Sequence, residues 1–342
     1  MAKKVTIQDV AKAANVSIAT VSRVLNNPQA VKNGTRLRVQ QAFGEVGYGA
    51  AAPSMVLSAS APDETEAQSK PSHTILAILP ELRNPFYADV LDGIISKADF
   101  RGYETVLYRA KVARYSLEEL RELVEAIHAC GVLTLGKIST PKDLEELNRY
   151  VPVVQCAEFE KECGLPYVSI DDYGAAKSVM QLLLEKGRRR IALLNGPLQY
   201  KYAVERERGY FDALQGAGIE RDDSLVIHQP VSEFDLALSS ASRLLSLPER
   251  PDAIFAVSDV MAVASVRAIH RANLQVPEDI AVVGFDDTYI AQMCEPSLTT
   301  VRQRGSQMGA YATEILLDMV AGVQVANQQI LMDVDLLVRE ST

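Results

Sequence analysis

The sequence predicts a small N-terminal three-helix helix-turn-helix headpiece followed by a larger, two-lobed α/β domain of doubly wound parallel sheets. The headpiece is indicated by residues 5–48, whose apolar side chains recur at the spacing of three short helices joined by tight turns. The larger domain is indicated by residues 74–342, where apolar runs alternate with amphipathic helical patterns, as in parallel sheets covered on both faces. Residues 49–73 are rich in Ala, Ser and Pro and form a linker between the two.

The headpiece begins with a helical pattern that buries Val10, Ala11 and Ala14. Asn15 follows in the turn, because Asn tolerates the left-handed conformation better than most residues other than Gly. Ser17 then provides the N-cap of a second helix. The apolar residues at helical spacing in the second and third helices complete a small core: Val21, Val24, Leu25, Val39, Ala42, Phe43 and Val46.

The second helix of a helix-turn-helix unit lies in the major groove of DNA, so its outward residues are candidates for contacts with base edges. Arg23 is the best of them, because its planar guanidinium pairs with the two acceptors of guanine, although it also suits phosphate. Thr20 and Asn26 are expected to anchor phosphates. A surface three-helix unit with solvated basic residues is the plainer alternative, which the specific run A-x-x-A-N-V-S-x-x-T-V-S-R-V disfavours. The residues predicted to contact double-stranded DNA are Thr6, Ser17, Ile18, Ala19, Thr20, Ser22, Arg23, Asn26 and Thr35.

Charge is segregated along the chain. Residues 1–48 carry seven Lys or Arg and two carboxylates, a net charge of +5, which leaves 28 basic and 42 acidic residues, a net charge of −14, for the remainder. A basic head suits phosphate binding, and an acidic body discourages nonspecific adherence to DNA. No apolar run approaches the length of a membrane span, and the start MAKKVTIQDV lacks the apolar region of a signal peptide. We therefore expect a cytoplasmic protein with no membrane partner.

The sequence motifs of common enzyme classes are missing. There is no G-x-G-x-x-G after a strand, no P-loop, no G-x-S-x-G elbow and no H-E-x-x-H. The four cysteines and four histidines are scattered, without the spacing of a zinc site or a disulfide framework. We expect no catalytic residues, no metal, no cofactor and reduced cysteines.

In open α/β sheets, ligands bind beyond the carboxyl ends of the strands, which here means the cleft between the two lobes. The candidates for binding a small-molecule effector are the residues that follow predicted strands: Asn84, Phe86, Tyr87, Glu158, Phe159, Ser258 and Asp286. Phe86 also suits a core position. Asp259 precedes a predicted helix and is better explained as its N-cap, and Asp171 or Asp172 before the next such helix has the same explanation. Aromatic and polar side chains of this kind suit either a nucleoside or a sugar.

A resemblance to a known family extends over nearly the whole chain. The run TIQDVAKAANVSIATVSRVLNNP, followed by TRLRVQQAFGEVGY, resembles the headpiece of the lactose-repressor/galactose-repressor family of bacterial transcription regulators. The resemblance continues through VSIDDYGAAKSVMQLLLEKGRRRIALLNGP and DAIFAVSDVMAVASVRAIHRANLQVPEDIAVVGFDD. It implies a repressor with a periplasmic-binding-protein-like effector domain, active as a homodimer or a larger oligomer. It also implies that Arg206, in VERERGY, grips a hydroxyl or carboxylate of the effector.

Some details, such as VVQCAEF before LPYVSIDD and AQMCEPSLTT, resemble the cytidine-repressor subgroup, which senses nucleosides. The expected effector is therefore a nucleoside or, alternatively, a sugar. A solute-binding receptor with the same two lobes and no regulatory role on DNA is the competing class of protein, and the attached headpiece disfavours it.

The family resemblance also implies three chain crossings between the lobes, near 168–171, near 298–303 and after Gly322. The predicted boundaries are a headpiece at 1–48, a hinge or linker at 49–73, an N-lobe at about 74–166 and 301–322, and a C-lobe at about 167–300 and 323–342.

Members of the family typically place a short helix in the hinge, which wedges a Leu into the minor groove of DNA. In this chain Pro53 would interrupt such a helix, and Asp63, Glu64 and Glu66 add negative charge. Leu57 falls near the wedge position. A flexible tether of low apolar content is an equally good interpretation of this segment.

Overall fold

The computed structural model describes residues 7–17, 20–21, 35, 38–39, 42, 72–110, 115–323 and 328–342. The chain divides into two compact units, Met1–Gln68 and Ser69–Thr342. Of the helices in the described residues, none combines the length and the apolar character that a membrane span requires.

The first unit contains helix α1, Ile7–Ala13. The chain leaves this helix through Asn15, whose φ of 51° is left-handed, as the sequence predicted. Ser17 then accepts a hydrogen bond from the backbone amide of Thr20 at 3.1 Å and so caps the next helical turn. The apolar core of this unit consists of buried residues that the sequence pattern predicted: Val10, Ala11, Ala14, Val21, Val39 and Ala42. Other residues expected in this core lie outside the described part of the chain: Val24, Leu25, Phe43 and Val46.

The first half of the second unit alternates strands and helices, as the sequence predicted. Its elements are β1 (Thr74–Leu79), α2 (Pro85–Phe100), β2 (Glu104–Arg109), α3 (Leu117–Ala126), β3 (Ala129–Thr134), α4 (Pro141–Tyr150), β4 (Val153–Cys156), a 3₁₀ turn (Lys161–Cys163) and β5 (Tyr167–Ile170). Helix starts follow from local chemistry. Asn84 caps α2 with Pro85 in its first turn, and Ser116 forms a capping box with Glu119 at α3.

The second half continues the same alternation. Its elements are α5 (Asp172–Glu185), β6 (Ile191–Asn195), α6 (Lys201–Gly216), a 3₁₀ turn (Asp223–Leu225), β7 (Val226–His228), α7 (Phe234–Leu245), β8 (Ala253–Ala256), α8 (Asp259–Arg271), β9 (Ala281–Asp286), α9 (Tyr289–Met293), β10 (Thr299–Arg302), α10 (Gly305–Val320), β11 (Gln329–Met332) and β12 (Asp335–Leu337).

The described strands form two sheets of six. The first has the order β11-β5-β4-β3-β1-β2 with parallel pairs throughout its described strands, and the second has the order β12-β10-β9-β8-β6-β7, in which β10 and β12 are antiparallel. Helices cover both sheets. Helix α10 packs on α2 so closely that a Cβ at Gly93 would lie 1.8 Å from the carbonyl oxygen of Ser306. Glycine is therefore required at this contact.

The lobe boundaries differ from the predicted ones. Strand β5, expected in the C-lobe, pairs with β4, and β11 pairs in parallel with β5, so both belong to the first sheet. We call this sheet with its helices the N-lobe and the other the C-lobe. The chain crosses between them at Asp171, at 303–304 and at 333–334, rather than directly after Gly322. The third crossing comes late because β11 first fills the edge of the N-lobe sheet, a non-local pairing with no signal in the local pattern.

Candidate functional site

The carboxyl ends of both sheets meet at a space between the N-lobe and the C-lobe, which we call the central cleft. Fourteen of the described residues line it: Glu81, Asn84, Phe86, Tyr87, Ala157, Glu158, Asp172, Tyr202, Arg206, Ser232, Val257, Ser258, Asp286 and Gln303. The space left between these side chains for a water-sized molecule measures about 50 Å³, which is room for a few waters. A nucleoside or a sugar is larger than this space.

Seven of the eight residues predicted to bind the effector line the central cleft: Asn84, Phe86, Tyr87, Glu158, Arg206, Ser258 and Asp286. Phe159 lies elsewhere, contrary to the prediction. Its ring stacks on Tyr167 with the centroids 3.8 Å apart, and Lys201 Nζ lies 4.7 Å from its centroid. Ala157, just after β4, has a left-handed φ of 68°. The turn at Ala157 sends Glu158 into the cleft and leaves Phe159 outside it.

The N-lobe wall of the cleft is built by the start of α2. Asn84 Oδ1 accepts the backbone amide of Phe86 at 3.1 Å, so the helix cap uses the amide oxygen, and the Asn84 side chain also interacts with Asp286, whose pKa it lowers. The rings of Phe86 and Tyr87 pack edge to face with centroids 5.5 Å apart. On the C-lobe side, Tyr202 fits because Gly196 has no side chain: a Cβ there would lie 2.1 Å from the Tyr202 hydroxyl. Aromatic rings on both lobes offer apolar faces to a ring-shaped ligand.

Arg206, from the middle of α6, is held rigidly although it is buried. Its Nε donates to Asp172 Oδ1 at 2.8 Å, its Nη2 contacts the same oxygen at 2.7 Å, and its Nη1 donates to the carbonyl of Val257 at 2.7 Å. The guanidinium carbon lies 3.4 Å from the ring centroid of Phe285. A guanidinium has five N–H donors, so two remain for a ligand.

Asp172 is a site residue that the sequence reasoning treated as a helix cap. The cap of α5 is Asp171, whose Oδ1 accepts the amide of Gly174 at 3.0 Å. Asp172 is instead buried and forms ion pairs with Arg206 and with Lys201, whose Nζ lies 2.6 Å from Oδ2. Two adjacent acids after a strand gave a usable signal, because only one of them can cap the helix.

Asp286 ends β9 in an unusual backbone conformation, with φ of 116°, followed by Asp287 with φ of 56°. Such conformations are strained for residues with a Cβ and persist where the surroundings hold them. Here Arg302 and Arg339 clamp the Asp287 carboxylate at 2.7 and 2.5 Å. Asp286 Oδ1 accepts from Gln303 Nε2 at 2.7 Å, whereas its buried Oδ2 has no hydrogen-bond partner among the residues that the structure describes.

The pKa of Asp286 is raised well above its usual range, first by burial and then by repulsion from Asp259, while Arg206 opposes the shift. Burial thus favours the protonated form of this carboxyl group. A protonated Asp286 offers a ligand a hydrogen-bond donor, and an ionised one offers a strong acceptor.

Asp259 supports the strand end from behind. The N-cap of α8 is Ser258, which accepts the amide of Met261, so the prediction that Asp259 caps the helix is wrong. Asp259 Oδ2 accepts the amide and the hydroxyl of Thr288 at 2.7 and 2.9 Å, and its Oδ1 accepts the hydroxyl of Thr300 at 2.7 Å. Burial raises the pKa of Asp259 to about 6. These bonds hold the loop that follows Asp286.

Glu158 joins the two lobes. Its carboxyl group, at the end of a strand of the N-lobe, accepts the backbone amides of Lys201 at 2.8 Å and Tyr202 at 3.1 Å in the first turn of α6. Helix α6 has no side-chain cap of its own at Tyr200. Burial, and secondarily Asp172, raises the pKa of Glu158 to about 7, against the attraction of Lys201 and the two amides. Glu158 therefore caps a helix of the opposite lobe and contacts the ligand space from that position.

Two further contacts cross between the lobes. Lys201 Nζ donates to the Ser169 hydroxyl at 3.1 Å and to the Ile170 carbonyl at 3.0 Å, both on β5 of the N-lobe. At the rim, the Arg83 guanidinium pairs with the carboxylate of Glu233. The lobes therefore meet through defined polar contacts.

Sequence reasoning missed several lining residues: Glu81, Asp172, Tyr202, Ser232, Val257 and Gln303. Glu81 and Gln303 closely follow β1 and β10, so the rule that strand ends carry binding groups would have found them. Tyr202 lies within a helix, and no local pattern distinguishes it.

In the headpiece, three of the predicted DNA contacts belong to the described residues. Ser17 is exposed and its hydroxyl lies 2.8 Å from that of Thr20, while Thr20 and Thr35 are half-buried. The exposure of Ser17 is compatible with a phosphate contact. The other predicted DNA contacts lie outside the described residues: Thr6, Ile18, Ala19, Ser22, Arg23, Asn26 and Leu57.

A basic headpiece followed by two α/β lobes around a polar cleft defines the class of ligand-controlled DNA-binding regulators, and a solute receptor would not need the headpiece. Comparison with known families gives the same result. Residues 6–50 match the family described as bacterial regulatory proteins, lacI family, and residues 180–342 match the periplasmic binding protein-like domain.

Individual relatives extend the match to the whole chain. The chain is 34% identical over 338 residues to the HTH-type transcriptional repressor CytR of Escherichia coli K12, covering 98% of this chain and 96% of the relative. The structure of the transcriptional regulator CelR–cellobiose complex aligns with a TM-score of 0.71 at 32% identity, covering 99% and 100% of the two chains. The lac repressor dimer bound to operator and the anti-inducer ONPF aligns at 0.70 with 26% identity, covering 99% of each chain.

This chain therefore belongs to the lacI family of bacterial regulatory proteins. It is an effector-controlled, DNA-binding transcription regulator and not an enzyme.

Proposed function

We propose that this chain is a homodimeric repressor whose affinity for operator DNA is set by a small polyhydroxylated effector in the central cleft, a nucleoside first and a sugar second. The main support for an effector site is the buried Oδ2 of Asp286. It faces the cleft and has no hydrogen-bond partner among the described residues. An unpaired buried polar atom costs free energy, so a ligand hydroxyl that pairs with it gains affinity.

The surroundings of Asp286 support the same class of ligand. Arg206 retains two N–H donors beyond those used by Asp172 and Val257. Phe86, Tyr87 and Tyr202 line the space and suit the face of a base or a sugar ring. The resemblance to the cytidine-repressor subgroup favours a nucleoside, and cellobiose in the CelR complex supports the sugar as the alternative.

For the headpiece, we propose that Arg23 reads a base and that Thr20 and Asn26 contact phosphates. Two copies related by a two-fold axis would present two recognition helices to successive half-sites of a near-palindromic operator. The lac repressor dimer on its operator supports this arrangement. Because such a regulator acts on the chromosome, we place it in the bacterial cytoplasm.

Thermal unfolding of the full chain against a panel of nucleosides, pentoses and hexoses tests the effector. A ligand at a hundred times its Kd is expected to stabilise the protein by about 2.7 kcal/mol. Fluorescence anisotropy with an operator selected from random DNA then tests whether that ligand changes the affinity for DNA. Stabilisation without any change in DNA affinity, or no stabilisation by any compound of these classes, would contradict the proposal.

A further inference from the structure

The central cleft carries more acid than base. The described residues that line it include four carboxyl groups, those of Glu81, Glu158, Asp172 and Asp286, and a single Lys or Arg, which is Arg206. Burial raises the pKa of Glu158, and the nearby Asp172 raises it further, so these carboxyl groups already repel one another. Burial also raises the pKa of Glu81. A negative charge on a ligand would add to this repulsion.

The cations at the cleft are already bound. Arg206 makes two contacts to Asp172 Oδ1, at 2.8 and 2.7 Å, and a third bond to the Val257 carbonyl. Lys201 Nζ contacts Asp172 Oδ2 at 2.6 Å and two oxygens of β5, which uses its three N–H donors. Lys201 has no donor left to offer, and an anionic ligand that accepted the two remaining N–H donors of Arg206 would share that single positive charge with the buried Asp172.

The groups that remain suit hydroxyls better than phosphates. Asp286 Oδ2 is an unpartnered oxygen, and Glu81 presents a second carboxyl group to the same space. A hydroxyl can donate to such oxygens and accept from the remaining N–H groups of Arg206. A phosphate brings three acceptor oxygens and a charge of about −1.5 to −2. Its oxygens would therefore face the carboxyl oxygens of Asp286 and Glu81.

We propose that the central cleft admits uncharged effectors and excludes their phosphorylated forms, so that the regulator responds to a free nucleoside or sugar and not to a nucleotide or sugar phosphate. This inference rests on the proposed function, because it names the charge of the effector that occupies the same site. A lining carboxyl group repels an anion when it is ionised and offers it no positive charge when it is protonated. Discrimination therefore comes from the lack of a cation that is not already paired with Asp172.

Isothermal titration of the full chain with matched pairs tests the inference. The pairs are the four ribonucleosides with their 5′-monophosphates, and D-ribose with ribose 5-phosphate. For any pair whose neutral member binds, we expect the phosphate to bind weaker by about a hundredfold or more, as like-charge repulsion in a desolvated site requires. The matching 5′-O-sulfamoyl nucleoside controls for size, because its tetrahedral group is uncharged and about as large as a phosphate. It should bind more tightly than the monophosphate.

Variants locate the source of the discrimination. Asp172→Asn removes the negative charge that pairs with Arg206 and Lys201. It should reduce the difference in affinity between neutral and phosphorylated ligands. Glu81→Gln should also reduce this difference in affinity. This variant provides the test if circular dichroism shows that Asp172→Asn does not fold. Glu249→Gln changes an exposed carboxylate outside the cleft and should leave the difference in affinity unchanged.

The outcomes separate the two proposals. Equal or tighter binding of a phosphorylated ligand would overturn the charge inference while leaving the proposed effector site intact. Equally weak binding of the sulfamoyl analogue and the phosphate would assign the exclusion to size, which also overturns the inference. If no nucleoside and no sugar binds in either form, the proposed function itself fails, and the charge inference fails with it.

Discussion

Removal of the guanidinium of Arg206 tests the centre of the cleft most directly. Arg206→Ala removes both contacts to Asp172, the bond to the Val257 carbonyl and the packing on Phe285. Asp172 would remain buried, 3% exposed, with Lys201 as its surviving ion-pair partner. Removing one partner of a buried pair costs about 3–5 kcal/mol. Because Lys201 stays in place, we expect a loss near the lower end, about 3 kcal/mol of the free energy of unfolding.

A double-mutant cycle isolates the pair. Asp172→Asn alone and the double variant Asp172→Asn/Arg206→Ala complete it, and we expect a coupling energy of about 2 kcal/mol because both single variants break the same contacts. Arg206→Lys keeps the charge without the paired donors and should fall between the wild type and Arg206→Ala. Arg208→Ala is the matched control on the same helix. Its pair with Glu205 lies at the surface and should contribute less than about 1 kcal/mol.

Urea unfolding followed by circular dichroism, under one set of conditions for all variants, supplies the free energies. A coupling energy below about 0.5 kcal/mol would show that Arg206 and Asp172 contribute independently. Equal losses for Arg206→Ala and Arg208→Ala would show that the buried pair contributes no more than a surface pair. Either result would refute the view that the ion pair organises the cleft.

Four further changes have defined outcomes. Asp286→Ala should weaken effector binding by about 1.5–3 kcal/mol in calorimetry, the contribution of one charged hydrogen bond, and unchanged affinity would place Asp286 outside the site. The pKa of Glu158 is about 7 in the cleft against an ordinary value of 4.5, so its contribution to the free energy of unfolding is full below pH 4.5 and is lost as the pH rises to 7. The size of this contribution is about 3 kcal/mol, and Glu158→Gln should remove that slope from urea unfolding curves; parallel pH profiles would contradict it. Arg23→Ala should cost about 1–3 kcal/mol on the specific operator and much less on random DNA, whereas equal losses would make Arg23 a phosphate anchor. Leu57→Ala should weaken operator binding by less than about 1 kcal/mol, and a larger loss with reduced DNA bending would reveal a wedge.

The features that sequence predicts well here are local ones. Asn15 adopts the left-handed conformation in the turn, and Ser17 caps the helical turn that follows, as the residue types themselves predict. The location of the cleft follows from the strands, because the carboxyl ends of parallel strands meet at one edge of a sheet. Asp286 and Ser258 could be placed at that edge without a structure.

The features that sequence missed depend on distant partners. Asp172 and Arg206 are 34 residues apart, and the local sequence around either one does not indicate that the other is its partner. Ser258 and Asp259 are both residue types that cap helices well. Ser258 is the cap because Asp259 accepts hydrogen bonds from the amide and the hydroxyl of Thr288 instead. The prediction that Phe159 lies in the cleft is wrong because the chain makes a left-handed turn at Ala157. An alanine in the sequence does not indicate such a turn.

The three chain crossings between the lobes, at Asp171, 303–304 and 333–334, also limit how the protein can move. Three short connections between two rigid bodies oppose sliding and leave rotation about an axis that passes through the connections. Gln303 lies in one crossing and bonds directly to Asp286, so a ligand held there is linked to that axis. Such a ligand would change only the angle between the two lobes, and the width of the ligand would determine that angle.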